Sequence, residues 1–278
     1  MKELFDIVSI KCSRLATKAY STSFSIGIGC LGKELRDPVY SIYGFVRFAD
    51  EIVDTFHDYN KKELLDRFKK ETYLAIHEKI SLNPILNSFQ ATVNRFAIDR
   101  ELIDLFLQSM EMDLEKKQYD SDGLKQYILG SAEVVGLMCL HVFCYGNTAS
   151  YEKLKPHAMS LGSAFQKINF LRDLNADFAE MGRTYFPGVE MDCFNDEHKK
   201  ILEKSIESDF YNGYVGIRQL PRSSRFGVYV AYIYYQALFN KIKNVPPEKM
   251  LQNRIRIRNR HKAGLLAYSF FKHQLNML

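Results

Sequence analysis

Apolar residues recur at three- and four-residue spacing along nearly the whole chain, and strand-like alternation bounded by turn residues is hard to find anywhere. This periodicity predicts an all-α protein. Helices are expected over residues 4–19, 38–57, 61–79, 84–95, 99–117, 123–145, 150–179, 196–217, 222–243 and 258–275. About ten helices exceed a simple four-helix bundle. Asp37-Pro38 and Asn83-Pro84 each place a capping side chain before a proline suited to a first helical position, and Gly146, Gly182 and Pro246-Pro247 read as stops. At 278 residues and 46% hydrophobic, with only 15 Gly and 7 Pro, the chain is neither disordered, collagen-like nor a Gly-punctuated sandwich. No repeat or Pro/Gly/Ser linker divides it, so residues 1–278 read as one α-helical domain.

The formal charge of +5, from 38 basic and 33 acidic residues, falls well short of a nucleic-acid-binding tail. Five cysteines (Cys12, Cys30, Cys139, Cys144, Cys193) form no C-x-x-C pair, which argues against a disulfide framework or zinc ribbon and for a reducing cytoplasm. The first twenty residues read as an amphipathic helix rather than a secretory signal, and the longest apolar stretch, Phe226 to Phe239, is too short to span a bilayer. A soluble, cytoplasmic or at most peripheral protein is expected.

Two segments carry chemistry. In Pro38 to Phe56, Tyr43, Arg47, Asp50 and Asp54 fall on one narrow helical stripe, with Glu51 at its margin, and nearly every other residue is apolar or small. A helix apolar almost all round is buried, so its single charged stripe is expected to face an internal cavity. In Leu161 to Phe178, Gln166, Asn169, Asp173 and Asp177 share a face, while Phe165, Ile168 and Leu171 form a separate apolar stripe toward which Arg172 projects.

A bare D-x-x-x-D is weak evidence, since about four acidic i,i+4 pairs are expected by chance in such a chain. Glu111/Glu115 and Asp192/Asp196 read as solvated examples. The apolar surround and the second pair with its own Asn and Gln are what distinguish Asp50/Asp54, because two buried like-charge pairs need a cation between them. Carboxylates and an amide suit a hard ion, Mg²⁺ above all, and Mg²⁺ so held implies a phosphorylated ligand. The seven histidines are scattered and make no metal motif. Arg47 and Arg172 suit phosphate oxygens in forked geometry; the alternative is charge balance within the carboxylate clusters.

These residues resemble the squalene/phytoene synthase family of head-to-head prenyl diphosphate synthases. YSTSFSIG (Tyr20 to Gly27) resembles its N-terminal H/Y-S-x-S-F-x signature, and IYGFVRFADEIVD (Ile42 to Asp54) its first aspartate-rich region. QKINFLRDLNADFAEMGRTYFP (Gln166 to Pro187) resembles the second region, Q-x-x-N-x-x-R-D-x-x-x-D, and the R-x-Y-x-P segment after it. Smaller matches are YILGSAEVVG (Tyr127 to Gly136), Tyr234 and the basic stretch from Arg254.

The resemblance implies an isoprenoid synthase fold, all helices around a deep central cavity, in which two aspartate-rich helices face each other. By carry-over, Asp50, Asp54, Asn169, Asp173 and Asp177 would bind two or three Mg²⁺ ions, with Mn²⁺ a substitute. The four aspartates, Arg47 and Arg172 would be catalytic. Ser21, Arg47, Gln166, Arg172 and Arg254 would hold diphosphates, Ser23 joins the substrate-binding set, and Phe24, Tyr43, Tyr127 and Tyr234 would line the prenyl channels and reaction centre. Tyr20 stands where some members have His, and Glu133 replaces a small residue; whether that carboxylate touches the cavity or pairs with a helix neighbour is left open by the sequence.

The implied reaction is the joining of two prenyl diphosphates through a cyclopropylcarbinyl diphosphate. With no Rossmann-type glycine motif and no hydrophobic C-terminal anchor, no NADPH is expected. VVGLM (Val134 to Met138) also leans toward phytoene synthase acting on two geranylgeranyl diphosphates in carotenoid biosynthesis. The alternative is a squalene or dehydrosqualene synthase acting on farnesyl diphosphate. A remoter reading is a non-catalytic helical protein using Arg254, Arg256, Arg258, Arg260, His261 and Lys262 on RNA or an anionic membrane, where the lack of interleaved aromatics disfavours nucleic acid. Peripheral membrane contact suits lipophilic substrates.

Overall fold

The computed structural model describes residues 2–115, 119–179, 195–250 and 254–274. Among them there are helices and no strands: α1 (Lys2–Tyr20), α2 (Thr22–Gly29), α3 (Lys33–Asp54), α4 (Lys61–Glu78), α5 (Pro84–Phe96), α6 (Arg100–Glu115), α7 (Ser121–Ile128), a π-helical turn (Leu129–Glu133), α8 (Val134–Phe143), α9 (Thr148–Ala179), α10 (Asp196–Gln219), α11 (Arg222–Lys243), α12 (Pro247–Met250) and α13 (Asn259–Gln274). The predicted all-α architecture is what is seen.

α3 sits at the centre because it is wanted on both sides. Toward α4, α5 and α6 it buries Phe45 and Ala49, with the Phe45 ring stacked on Phe89 at 3.8 Å between centroids and packed against Phe68 and Phe106. Aromatic burial on this scale supplies most of the local driving force. The opposite face carries the polar stripe into a cavity walled by α2, α3, α8, α9, α10 and α11.

Some of these expectations need correction. α3 begins at Lys33, one turn and more before Pro38, so Asp37 does not cap it; Gly32 is the N-cap and the Asp37 carboxylate pairs with Arg14 of α1 instead. Asn83-Pro84 does work as read, with Asn83 Oδ1 accepting from the Ile85 N–H at 3.0 Å. α2 was not anticipated: Ser21 caps it, accepting from the Phe24 N–H at 3.2 Å, and its apolar sequence is helical because it packs on α11, where a Cβ on Gly227 would lie 2.6 Å from the Gly27 carbonyl oxygen.

The continuous helix expected over 123–145 is interrupted by the π turn, which presses on α6 at Gly130, where a Cβ would come 2.6 Å from the Leu105 carbonyl oxygen. Among the described residues, Ser121–Phe143 rather than Phe226–Phe239 is the stretch whose length and composition would allow it to cross a membrane. Here it packs against α3, α6 and α9 and lines the cavity. Gly182 and Cys193 lie outside the described residues.

Candidate active site

The cavity holds about 640 Å³ and is lined from Tyr20 near one end of the chain to Arg254 near the other. Tyr43, Arg47, Asp50 and Asp54 reach it from α3, and Gln166, Asn169, Arg172 and Asp173 from α9. The helical period keeps each polar stripe on one face, and the packing around α3 and α9 turns both faces into the same space. The Asp177 side chain lies outside the described residues.

At the rim, arginines balance the carboxylates. Arg47 pairs with Asp50 and Glu51 while its guanidinium lies 4.3 Å from the centre of the Tyr20 ring. Arg172 Nε donates to Asp173 Oδ1 at 2.9 Å, and Arg254 Nε reaches the same oxygen at 2.6 Å from beyond α12. Arg172 thus joins the polar rim rather than the apolar stripe. Asn169 donates to Gln166 Oε1 at 3.3 Å and accepts from the Tyr235 hydroxyl at 3.2 Å.

Just inside the rim stands an aromatic group in which Phe165 and Tyr235 join the expected Phe24 and Tyr43. Phe24 lies 5.7 Å from Tyr43, 6.2 Å from Phe165 and 5.8 Å from Tyr235, and Phe165 stacks on Tyr235 at 4.0 Å. Phe165 belongs here because it precedes Asn169 and Asp173 by four and eight residues on the same face, whereas Ile168 and Leu171 turn into the core. That spacing was visible. Tyr234 does not line the cavity: on α11 the lining positions are Gly227, Val228, Ala231 and Tyr235, and Tyr234 points toward α13, its hydroxyl donating to the Lys262 carbonyl at 2.9 Å.

Ser23 likewise is absent from the cavity wall, although Ser21, two residues before it, and Phe24, the next residue, are on it. Tyr127 lines the wall and donates to the buried Asp113 carboxylate at 2.9 Å. Glu133 is not on the wall either. It faces the pair of Lys167 and Asp209, joined at 2.6 Å, and burial with the nearby Asp209 charge pushes its carboxyl up to about 7.

Among the described residues, no three carboxylate, imidazole or thiolate side chains are close enough to hold an ion unaided. Two features nevertheless fit a divalent cation arriving with a diphosphate. Burial and the neighbouring Asp54 carboxylate push the Asp50 carboxyl up to about 7, a repulsion that a cation would relieve. The buried Arg47 Nε has no hydrogen-bond partner, leaving a donor for an anionic oxygen. Below the rim the wall is mostly apolar and runs along α9 from Asp173 to Leu154, a rise on the order of 28 Å. Such a site can bind a charged head at the mouth and keep a long apolar tail from water.

A family model described as Squalene/phytoene synthase matches residues 17–261. Phytoene synthase 1, chloroplastic, of Zea mays is 27% identical over 264 residues, covering 87% of this chain and 62% of that protein. The 4,4'-diapophytoene synthase of Staphylococcus haemolyticus is 25% identical over 199 residues, 70% of this chain and 67% of that protein. This chain spans about 60% of the length of the plant relatives. Among solved structures, a dehydrosqualene synthase in complex with ligand shares the fold at a TM-score of 0.83 with 21% identity, covering 98% of both chains. A squalene synthase from Alicyclobacillus acidocaldarius does so at 0.74 with 20% identity, over 89% of this chain and 95% of that one.

Proposed function

Because this chain belongs to the squalene/phytoene synthase family, we propose that it is a phytoene synthase, condensing two geranylgeranyl diphosphates head to head and releasing pyrophosphate. The observation that carries this reading is the pairing of two carboxylate stripes across one deep apolar cavity.

Asp50 and Asp54 on one side and Asn169 and Asp173 on the other would hold Mg²⁺, with Asp177 completing the set. The ion supplies neutralisation of the charge that develops on a departing diphosphate. Arg47, Arg172 and Arg254, now engaged with aspartates, would turn to diphosphate oxygens, and Ser21 and Gln166 add neutral donors at the same rim. Loss of the first diphosphate leaves an allylic cation. The apolar walls keep water from it, and the ring faces of Phe24, Tyr43, Phe165 and Tyr235 soften its charge. C1 of the cation bonds to the double bond of the second substrate and loses a proton as the ring closes to a cyclopropylcarbinyl diphosphate; departure of this second diphosphate, rearrangement and a second proton loss give the C40 hydrocarbon.

Two features support the C20 substrate: a wall longer than an extended C20 tail, and relatives that are phytoene synthases. A second reading, dehydrosqualene synthase acting on two C15 units, is favoured by the 0.83 TM-score to such an enzyme. Purified protein incubated with Mg²⁺ and either prenyl diphosphate separates them. The C40 product from geranylgeranyl diphosphate is expected; a C30 product from farnesyl diphosphate alone would replace the first reading by the second.

A further inference from the structure

The chain's net positive charge has one address. Residues 249–278 contain seven Lys or Arg and no Asp or Glu, while residues 1–248 contain 31 basic against 33 acidic residues. The basic segment leaves the cavity mouth at Arg254 and runs through the exposed Arg256 and Arg258 into α13, whose first turn carries the exposed Arg260 and His261.

α13 is anchored on α11 by the Tyr234 hydroxyl on the Lys262 carbonyl and by Phe226 against Phe270 and His273, at 6.1 and 4.9 Å between ring centres. Its outer face is apolar. Arg260, Ala263, Gly264, Ala267, Tyr268 and Phe271 fall within one exposed arc, and Phe271 stands 66% exposed with Phe270 beside it at 47%. A soluble surface has no use for two adjacent exposed phenylalanines on a helix with no acidic residue. Arginines at one end and aromatics about 16 Å along the helix from Arg260 make the pattern of a helix lying in a membrane interface.

We propose that α13 and residues 256–258 dock this protein on an anionic phospholipid bilayer, with Arg256, Arg258 and Arg260 among the headgroups and Phe270 and Phe271 at the acyl boundary. This places the cavity mouth, through Arg254, beside the lipid phase. The inference stands on charge and exposure and is independent of which prenyl diphosphate the cavity accepts. RNA would use the same charge but not the outer phenylalanines, since bases stack on aromatics interleaved with the basic residues.

Co-sedimentation of the full chain with phosphatidylglycerol-containing vesicles and with pure phosphatidylcholine vesicles tests it. Binding to the anionic vesicles alone, lost in high salt, is expected; Arg256→Ser and Arg258→Ser should each weaken it about fivefold. Phe271→Ser should weaken it further while leaving turnover of detergent-dispersed substrate unchanged. The chain has no Trp, so Phe271→Trp adds a lone reporter whose emission should shift to the blue on anionic vesicles. Equal sedimentation with both vesicle types, an unshifted emission, or RNA binding untouched by Phe271→Ser in a protein that ignores vesicles would each overturn the proposal.

Discussion

The two carboxylate helices solve the same electrostatic problem differently. On α3, Asp50 is balanced from within, by Arg47 one turn away, and burial with the neighbouring Asp54 charge still leaves Asp50 with a raised carboxyl pKa of about 7. On α9, Asp173 takes Arg172 from its own helix and Arg254 from residues 81 positions later. The first arrangement is a property of one helix. The second exists only when the C-terminal segment is docked, so it ties the mouth of the cavity to the end of the chain.

That difference can be broken at either side. Asp50→Asn and Asp173→Asn should each lower turnover about a thousandfold, roughly 4 kcal/mol of transition-state stabilisation, in a steady-state pyrophosphate-release assay. Arg47→Ala should cost about a hundredfold, because it leaves Asp50 and Glu51 half-buried and uncompensated, whereas the more exposed Arg254→Ala should cost about tenfold, mostly in KM. Thermal melts of the metal-free protein sharpen the point. Asp50's folded pKa lies above its unfolded value of 3.8, so its contribution is complete below about pH 4 and is lost as pH rises through about 7. With a third of the side chain exposed, this is on the order of 2 kcal/mol, and Asp50→Asn should flatten the decline.

The smallest expected effects separate two neighbouring tyrosines. Tyr235→Phe removes the bond to Asn169 and should slow turnover about fivefold, near 1 kcal/mol; Tyr234→Phe should cost similar stability in denaturant melts yet leave turnover intact.

The carboxylate stripes were legible in the sequence because helical period alone puts Tyr43, Arg47, Asp50 and Asp54 together, and a helix apolar on its other faces must be buried. Residues whose place depends on a partner were not. Tyr234 and Tyr235 differ by 100° on α11, and only the packing of α2 and α13 decides which of them sees the cavity. α2 is not legible in the sequence because an apolar segment rich in Ser and Gly has no amphipathic signal of its own. The Asp37-Pro38 cap misled because Pro38 is tolerated inside a helix that α1 and α5 hold in place. Glu133 could be resolved only by seeing Lys167 and Asp209 beside it.

The account's central claim is that the two helices act on one substrate as a unit, and a double-mutant cycle on pyrophosphate release tests it most directly. If Asp50 and Asp173 serve one charge-neutralising centre, the Asp50→Asn/Asp173→Asn enzyme should be scarcely slower than either single variant. Losses that multiply would contradict it.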